Sequence, residues 1–380
     1  MLFSHISDTH LGLVQYASEE REQDIYLVFN EAIDTSIKDH VDFVIFAGDI
    51  FNVPNPTGTA IVQMANALKR LKQNNIDSFF ILGEHDISRI RATPIPYVYH
   101  NLEFSKYIGQ GIPIEYKGVC LAGFDKIRKA EISQFEEKFA QVDKIAKEHS
   151  GHKILVLHQG ITEFNKFAGE FQSTDLPKNF TYYAMGHLHD TDIKNFNHLG
   201  GPIAYPGSIE LTTSEGIKEA KKGFFEVDIS EKEAKPNWIQ LKTRPQFSVK
   251  TEFSDMTKTV DEMLEKISPS TRKPIVEIKI HGENIETDQI QAQMNRLQAQ
   301  TLRCFWKIIS KEVLDSSIFL DRPNAIDDEM LRLSIESTGS EQIANFAIKE
   351  LLPSLAINQI KEATTIVVEN FENFKKEKKK

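Results

Sequence analysis

A chain of 380 residues is too long for one ordinary domain, and its 40% hydrophobic content is enough for a large core and a smaller one. The formal net charge of -10 rules out a global basic field, so any polyanion must be met by local basic clusters or by metal. Two distant cysteines, Cys120 and Cys304, exclude a disulfide framework and fit a reducing cytosol; no stretch reads as a signal peptide or is apolar enough to span a membrane, so no membrane partner is expected.

The first half alternates strand and helix patterns. Residues 2–6 form a short apolar strand, and residues 20–40 carry a helical stripe through Ile25, Val28, Phe29, Ala32, Ile33 and Ile37. Residues 41–47 (VDFVIFA) are a buried strand, 57–73 an amphipathic helix, and 78–82 (SFFIL) a strand again. Strands at 119–124, 153–157 and 182–185 follow, with a helix over 131–148; then 202–205, 223–227 and 237–242 are mainly β. Repeated βα units predict an α/β sandwich with helices on both faces, ending near residue 245. From 246 to about 326 the pattern restarts as a compact β-α-β-α-β cap, with helices over 257–266 and 287–297. A polar linker (327–339) leads to two helical stripes within 340–374, broken by Pro353, and to a basic tail at 375–380.

Five islands follow the apolar runs: Asp8-Thr9-His10, Gly48-Asp49, Gly83-Glu84-His85-Asp86, His158-Gln159-Gly160 and Gly186-His187-Leu188-His189. Alone, a histidine at a strand end is usually a satisfied or surface residue, and Gly-Asp is usually a turn. Together, the imidazoles and carboxylates suit a pair of divalent ions. Two such ions about 3.5–4 Å apart supply a nucleophile at neutral pH and a counter-charge for phosphoryl oxygens. Asp8 and His10, two apart, can turn to one ion; Asp49 is the natural bridge; His187 and His189 lean toward different ions.

The order DxH, GD, GxHD, H and GHxH resembles the calcineurin-like metallophosphoesterases. ISDTHLG, FAGDIFN, LHQG, YYAMGHLH and YPGSIE narrow the resemblance to the nuclease subunit of the double-strand-break repair complex, the meiotic-recombination nuclease family with SbcD-type bacterial relatives. The resemblance covers residues 1–245 in text and the remainder in layout. It implies a calcineurin-like β-sandwich flanked by helices, with a small α+β cap and a C-terminal helical hairpin. It implies one metal held by Asp8, His10, bridging Asp49 and His189, and a second held by Asp49, the residue at 84, His158 and His187. His85 would stabilise charge at the scissile phosphate. The usual ion is Mn2+, with Mg2+ also compatible. The implied activity is manganese-dependent endo- and exonuclease processing of DNA ends, 3'-5' on the exonuclease side. The implied place is the cytoplasm, at the nucleoid in a prokaryote, or the nucleus in a eukaryote.

Two positions depart from the family. Glu84 stands where asparagine is usual. A third ligand carboxylate removes one unit of net positive charge, so the site should hold metal at least as well but polarise a phosphodiester less. The expectation is a weakened but active nuclease; the competitors are a catalytically impaired DNA-end-binding scaffold and a small-molecule phosphodiesterase. Asn52 stands where some members carry a histidine linked to presenting the DNA backbone.

Arg21, Arg89 and Arg91 are candidate phosphate contacts or solvated surface arginines. Ile61, Met64 and Leu68 of helix 57–73, with Tyr97, Val98 and Leu102, serve either core packing or the homodimer interface that the resemblance implies. The apolar faces of the terminal hairpin (Ile343, Phe346, Leu351, Leu355, Ile360 and Val367) would pack back on the cap or, as the resemblance implies, grip the coiled-coil root of an SMC-like, SbcC-type ATPase.

Overall fold

The computed structural model describes residues 1–88, 93–166, 168–282 and 285–309, together with residues 346, 347, 364 and 367. In chain order the elements begin β1 (Leu2–Ile6), α1 (Glu19–Lys38), β2 (Phe43–Ala47), α2 (Gly58–Gln73), β3 (Asp77–Ile81), α3 (Tyr97–Asn101) and β4 (Lys106–Tyr107). They continue with β5 (Ile114–Tyr116), β6 (Val119–Phe124), α4 (Glu136–Glu148), β7 (Lys153–His158), β8 (Tyr182–Gly186), β9 (Asp192–Lys194) and β10 (Ile203–Tyr205). Then come β11 (Gly223–Asp228), β12 (Lys235–Gln240), β13 (Gln246–Glu252), α5 (Met256–Ile267), β14 (Ile275–His281), α6 (Thr287–Gln298) and β15 (Arg303–Ile308).

Two six-stranded sheets make a sandwich. One runs β12-β11-β1-β2-β3-β4 and the other β5-β6-β7-β8-β10-β9. Strand β2 shows why its sequence is apolar throughout. Phe43, Ile45 and Ala47 enter the core between the sheets, beside Val156, Tyr182 and Ala184 of the second sheet. Val44 and Phe46 point the other way, into a core shared with α1 and α2. A strand buried on both faces has no polar alternation. A third core, under α4, covers the outer face of the second sheet through Phe139, Val142 and Ala146.

Helix α2 starts where Thr57 caps it, its hydroxyl accepting from the Ala60 N–H at 3.2 Å. The predicted helix over 131–148 is α4 preceded by a 3-10 stretch, Lys129–Phe135. The strands β4, β5 and β9 have only two or three residues, too few for a readable period.

Chain contacts define two compact units. The first comprises Met1–Val249, Glu262–Glu277 and Met294–Phe305; the second comprises Lys250–Asp261, Ile278–Gln293 and the described residues from Trp306 on. The sheet β13-β14-β15, with α5 and α6 between its strands in sequence, follows the sandwich in the chain. The linker, most of the hairpin and the basic tail lie outside the described residues, Ile343, Leu351, Leu355 and Ile360 among them. Phe346 is half-buried in a helical turn, and Val367 is helical and 41% exposed.

Candidate metal centre

The five islands lie at the carboxyl ends of β1, β2, β3, β7 and β8. Strands β1, β2 and β3 run parallel in one sheet, and β7 and β8 run parallel in the other. His158 pairs in register with Gly186, which sets the last histidine of β7 beside the GHLH loop. The Asp8 N–H donates to Gly48 O (3.1 Å) and the His10 N–H to Asp49 O (3.0 Å), locking the first loop onto the second. Asp8, His10, Asp49 and His187 all adopt positive φ, at 52°, 43°, 49° and 91°. Non-glycine residues rarely do so, and such strain gathers at functional sites. Gly48 (φ 87°) is required twice over, because a Cβ there would also strike the His158 ring.

The side chains form two ligand groups, with Asp49 near atoms of both. Asp8, His10 and His189 bring one ligand atom each to a common point, as do Glu84, His158 and His187, while Asp49 joins Asp8 and His158. His10 Nε2 and His189 Nε2 face each other at 3.2 Å, with Asp8 Oδ1 3.8 Å from His189 Nε2. On the other side, Glu84 places Oε2 2.9 Å from His158 Nε2 and Oε1 2.8 Å from His187 Nδ1. Asp49 Oδ2 stands between the groups, 3.3 Å from His158 Nε2 and 4.0 Å from His10 Nε2. Its other oxygen accepts from the His85 N–H at 2.9 Å.

Anchors aim the rings. His158 Nδ1 meets the Ala47 carbonyl at 2.7 Å, and His85 Nδ1 meets the Asn52 carbonyl at 2.8 Å. His189 Nδ1 meets Thr212 Oγ1 at 3.0 Å and Glu215 Oε2 at 3.3 Å. A ring that donates from Nδ1 presents Nε2 inward as a lone pair. Asp86 ties two islands together by accepting from the Ile50, Phe51 and Gly83 N–H groups.

Burial lowers His10 to about 4. Burial works against charge on His158 as well, but Asp49 and Glu84 outweigh it and hold the ring well above its ordinary value. Glu84 shows the converse: burial would raise it, and His158 and His187 hold it far below. Burial, with Asp49 close by, pushes Asp86 up to about 7. His158 Nε2 and Glu84 Oε2 are buried and close, yet neither has an aligned hydrogen-bond partner. Buried polar atoms converging without hydrogen bonds fit a divalent cation.

Other predicted contacts divide. Arg21 is corrected: it is 1% exposed and bonded to Gln15, Asp24 and Leu211 O, so it cannot reach a DNA phosphate. Asn52 lies beside the site and anchors His85 through its main chain. Arg89 and Arg91 lie outside the described residues. Met64 and Leu68 are corrected too: at 1% and 0% exposure they belong to the core with α1. Ile61 and Tyr97 are partly buried against that core, whereas Val98 and Leu102 are exposed. Three residues near the islands had no predicted role. Thr212 and Glu215 form a capping box, a pattern legible as TTSE; Lys126 sits between Glu84 and Glu170 without a motif of its own.

Residues 1–191 match the family model described as calcineurin-like phosphoesterase. The DNA double-strand break repair protein Mre11 of Saccharolobus solfataricus is 31% identical over 360 residues, covering 91% of this chain and 93% of that protein. The protein of the same name from Thermoplasma acidophilum is 33% identical over 293 residues, covering 73% and 76%. That of Methanocaldococcus jannaschii is 30% identical over 339 residues, covering 88% of each. With this text and this arrangement of ligands, the chain belongs to the calcineurin-like phosphoesterase family and, within it, to the family of the DNA double-strand break repair protein Mre11.

Proposed function

We propose that the chain is a metal-dependent nuclease that processes DNA ends in double-strand-break repair, working through two ions, Mn2+ before Mg2+. The observation that carries this reading is the pair of ligand groups with Asp49 Oδ2 between them, 3.3 Å from His158 Nε2 and 4.0 Å from His10 Nε2. Asp8, His10 and His189 would hold one ion and Glu84, His158 and His187 the other, with Asp49 common to both. When bound, the ions supply positive charge for the phosphoryl oxygens and make water a nucleophile at neutral pH. The protein's own contribution is placement. Asp49, Glu84, His85, Phe164, His187 and His189 line an open pocket of about 610 Å3. His85, exposed at its rim and anchored through Nδ1, turns its remaining nitrogen toward a phosphate there and stabilises charge on the departing oxygen.

Glu84 favours a second reading, a DNA-end-binding scaffold that cuts weakly. Cleavage of single- and double-stranded DNA with manganese separates the two. The nuclease reading expects cleavage by the native chain, loss in His85→Ala, and a gain of about threefold or more in Glu84→Asn. A native chain that binds two manganese ions and DNA ends but cuts neither substrate refutes it. Exonuclease action from 3' ends and endonuclease action on single strands are part of the proposal, and the same assay reads them.

The assembly is proposed on the same basis. Val62, Val98 and Leu102, exposed by 55%, 44% and 58%, offer apolar surface on α2, α3 and the turn after it for a second copy of the chain. Residues 340–380 are proposed to bind an SMC-like ATPase. Their deletion should abolish ATPase binding and leave manganese binding unchanged; retained ATPase binding refutes the assignment.

A further inference from the structure

Glu84 adds a carboxylate to a centre whose work is to attract a phosphodiester. A cation stands against it. Lys126 Nζ lies 3.7 Å from Glu84 Oε2, with the lysine side chain only 10% exposed. The same ammonium is 2.8 Å from Glu170 Oε2 and 3.3 Å from His187 Nε2. This position is built by the fold. Lys126 follows β6, and its N–H donates to Leu82 O at 2.9 Å, one residue before the GEHD island. Glu170 is fixed in turn. Its carboxylate accepts from the Gly160 N–H at 3.2 Å, and its own N–H donates to Gly160 O at 2.9 Å, in the loop after His158. Glu170 thus ties Lys126, which is bonded beside the GEHD island, to the loop after His158, and these are two of the three islands that supply the Glu84 group.

We propose that Lys126 is the charge partner of Glu84: shared between Glu84 and Glu170, its ammonium offsets part of the extra ligand carboxylate, so that the centre presents to a phosphodiester more net positive charge than Glu84 without it would leave. The inference rests on the two-metal reading above. Lys126 acts through Glu84 and His187, and is a positioning residue. Two consequences have opposite signs. Removing a fixed cation beside a metal site favours binding of the ion. Removing it also leaves the Glu84 charge uncompensated, which disfavours the anionic substrate.

The test is a double-mutant cycle on the full chain, with Lys126→Met, Glu84→Asn and the pair. Manganese binding is measured by calorimetry, and binding of a phosphorothioate oligonucleotide that resists cleavage is measured on the manganese-loaded protein. Lys126→Met should weaken oligonucleotide binding about tenfold in the native background and less than about twofold in the Glu84→Asn background. Its manganese affinity should be equal or higher. Lys126→Arg should restore oligonucleotide binding. Equal losses in both backgrounds would mean that Lys126 meets DNA on its own account and would overturn the proposal, as would no loss. A fall in both affinities would mark a merely structural role and overturn it too. A native chain that binds fewer than two manganese ions refutes the two-metal reading itself, a result distinguishable from all of these.

Discussion

The carbonyl oxygen of Asn52 stands 2.8 Å from Nδ1 of His85, and the His85 N–H donates to Asp49 at 2.9 Å. One residue is thus oriented by the loop after β2 and attached to the Asp49 carboxylate of the centre. The side chain of Asn52 has no part in that anchor. His85→Ala should lower DNA cleavage about 100- to 1,000-fold while manganese binding stays within about twofold. Asn52→Ala keeps the carbonyl and should lower cleavage by less than about threefold. If Asn52→Ala proves as damaging as His85→Ala, the side chain, and not the main chain, governs the site.

Glu215 is placed to hold His189, and through it the first ligand group. Its carboxylate lies 3.3 Å from His189 Nδ1 and pairs with Lys222, which also donates to His189 O at 2.8 Å. Burial would raise the carboxyl, but His189 and Lys222 hold it well below its ordinary range. A carboxylate behind a ligating imidazole fixes its tautomer, and its loss typically costs 10- to 100-fold in metal affinity. Glu215→Ala should therefore weaken manganese binding by about that factor, with Glu215→Gln affected less. Unchanged affinity in Glu215→Ala would assign the orientation of His189 to Thr212 alone.

Much of this centre was legible because its residues sit where strands end. Apolar runs such as VIFA and ILVL announce strands, and the polar island after each announces a loop. The grouping of ligands was not readable from periodicity; the resemblance supplied it, and the structure brings the same residues together. Lys126 was invisible because its role comes from a side-chain position between β6 and the GEHD island, which no local pattern encodes. Arg21 misled because a helix-surface arginine and a buried one read alike in sequence. Its burial depends on Asp24 and on loop residues about 190 positions away, such as Leu211. Met64 and Leu68 show the same ambiguity: an apolar stripe fits a core and an interface equally, and only α1 lying against α2 decides.

That buried cluster makes its own prediction. Asp24 is 1% exposed and receives Arg21 at 2.7 Å, Arg244 at 2.5 and 2.9 Å and Arg272 at 3.3 Å. Glu210 adds a second carboxylate 3.5 Å from Arg21. Removing one partner from a buried ion network leaves the others desolvated and unpaired, which commonly costs about 3–5 kcal/mol. Asp24→Ala should destabilise the protein by roughly that amount in denaturant unfolding. Loss of less than about 1 kcal/mol would show that Glu210 and water satisfy the arginines without it.

A pH dependence follows from Asp125. Burial pushes its carboxyl up to about 7, although the Tyr107 hydroxyl and the Leu82 N–H both donate to it. Unfolded, the same group titrates near 3.8. Between these values the folded chain keeps a proton that the unfolded chain has released. Stability therefore falls as pH rises from about 4 to about 7 through this group, and is level outside that window. Asp125→Asn removes the ionisation and keeps the size. The melting temperature of the variant minus that of the native chain, both free of metal, should rise by about 2–5 °C between pH 4 and pH 8. Parallel melting curves across that range would mean that Asp125 ionises in the folded protein as readily as in the unfolded one, with its two donors offsetting its burial.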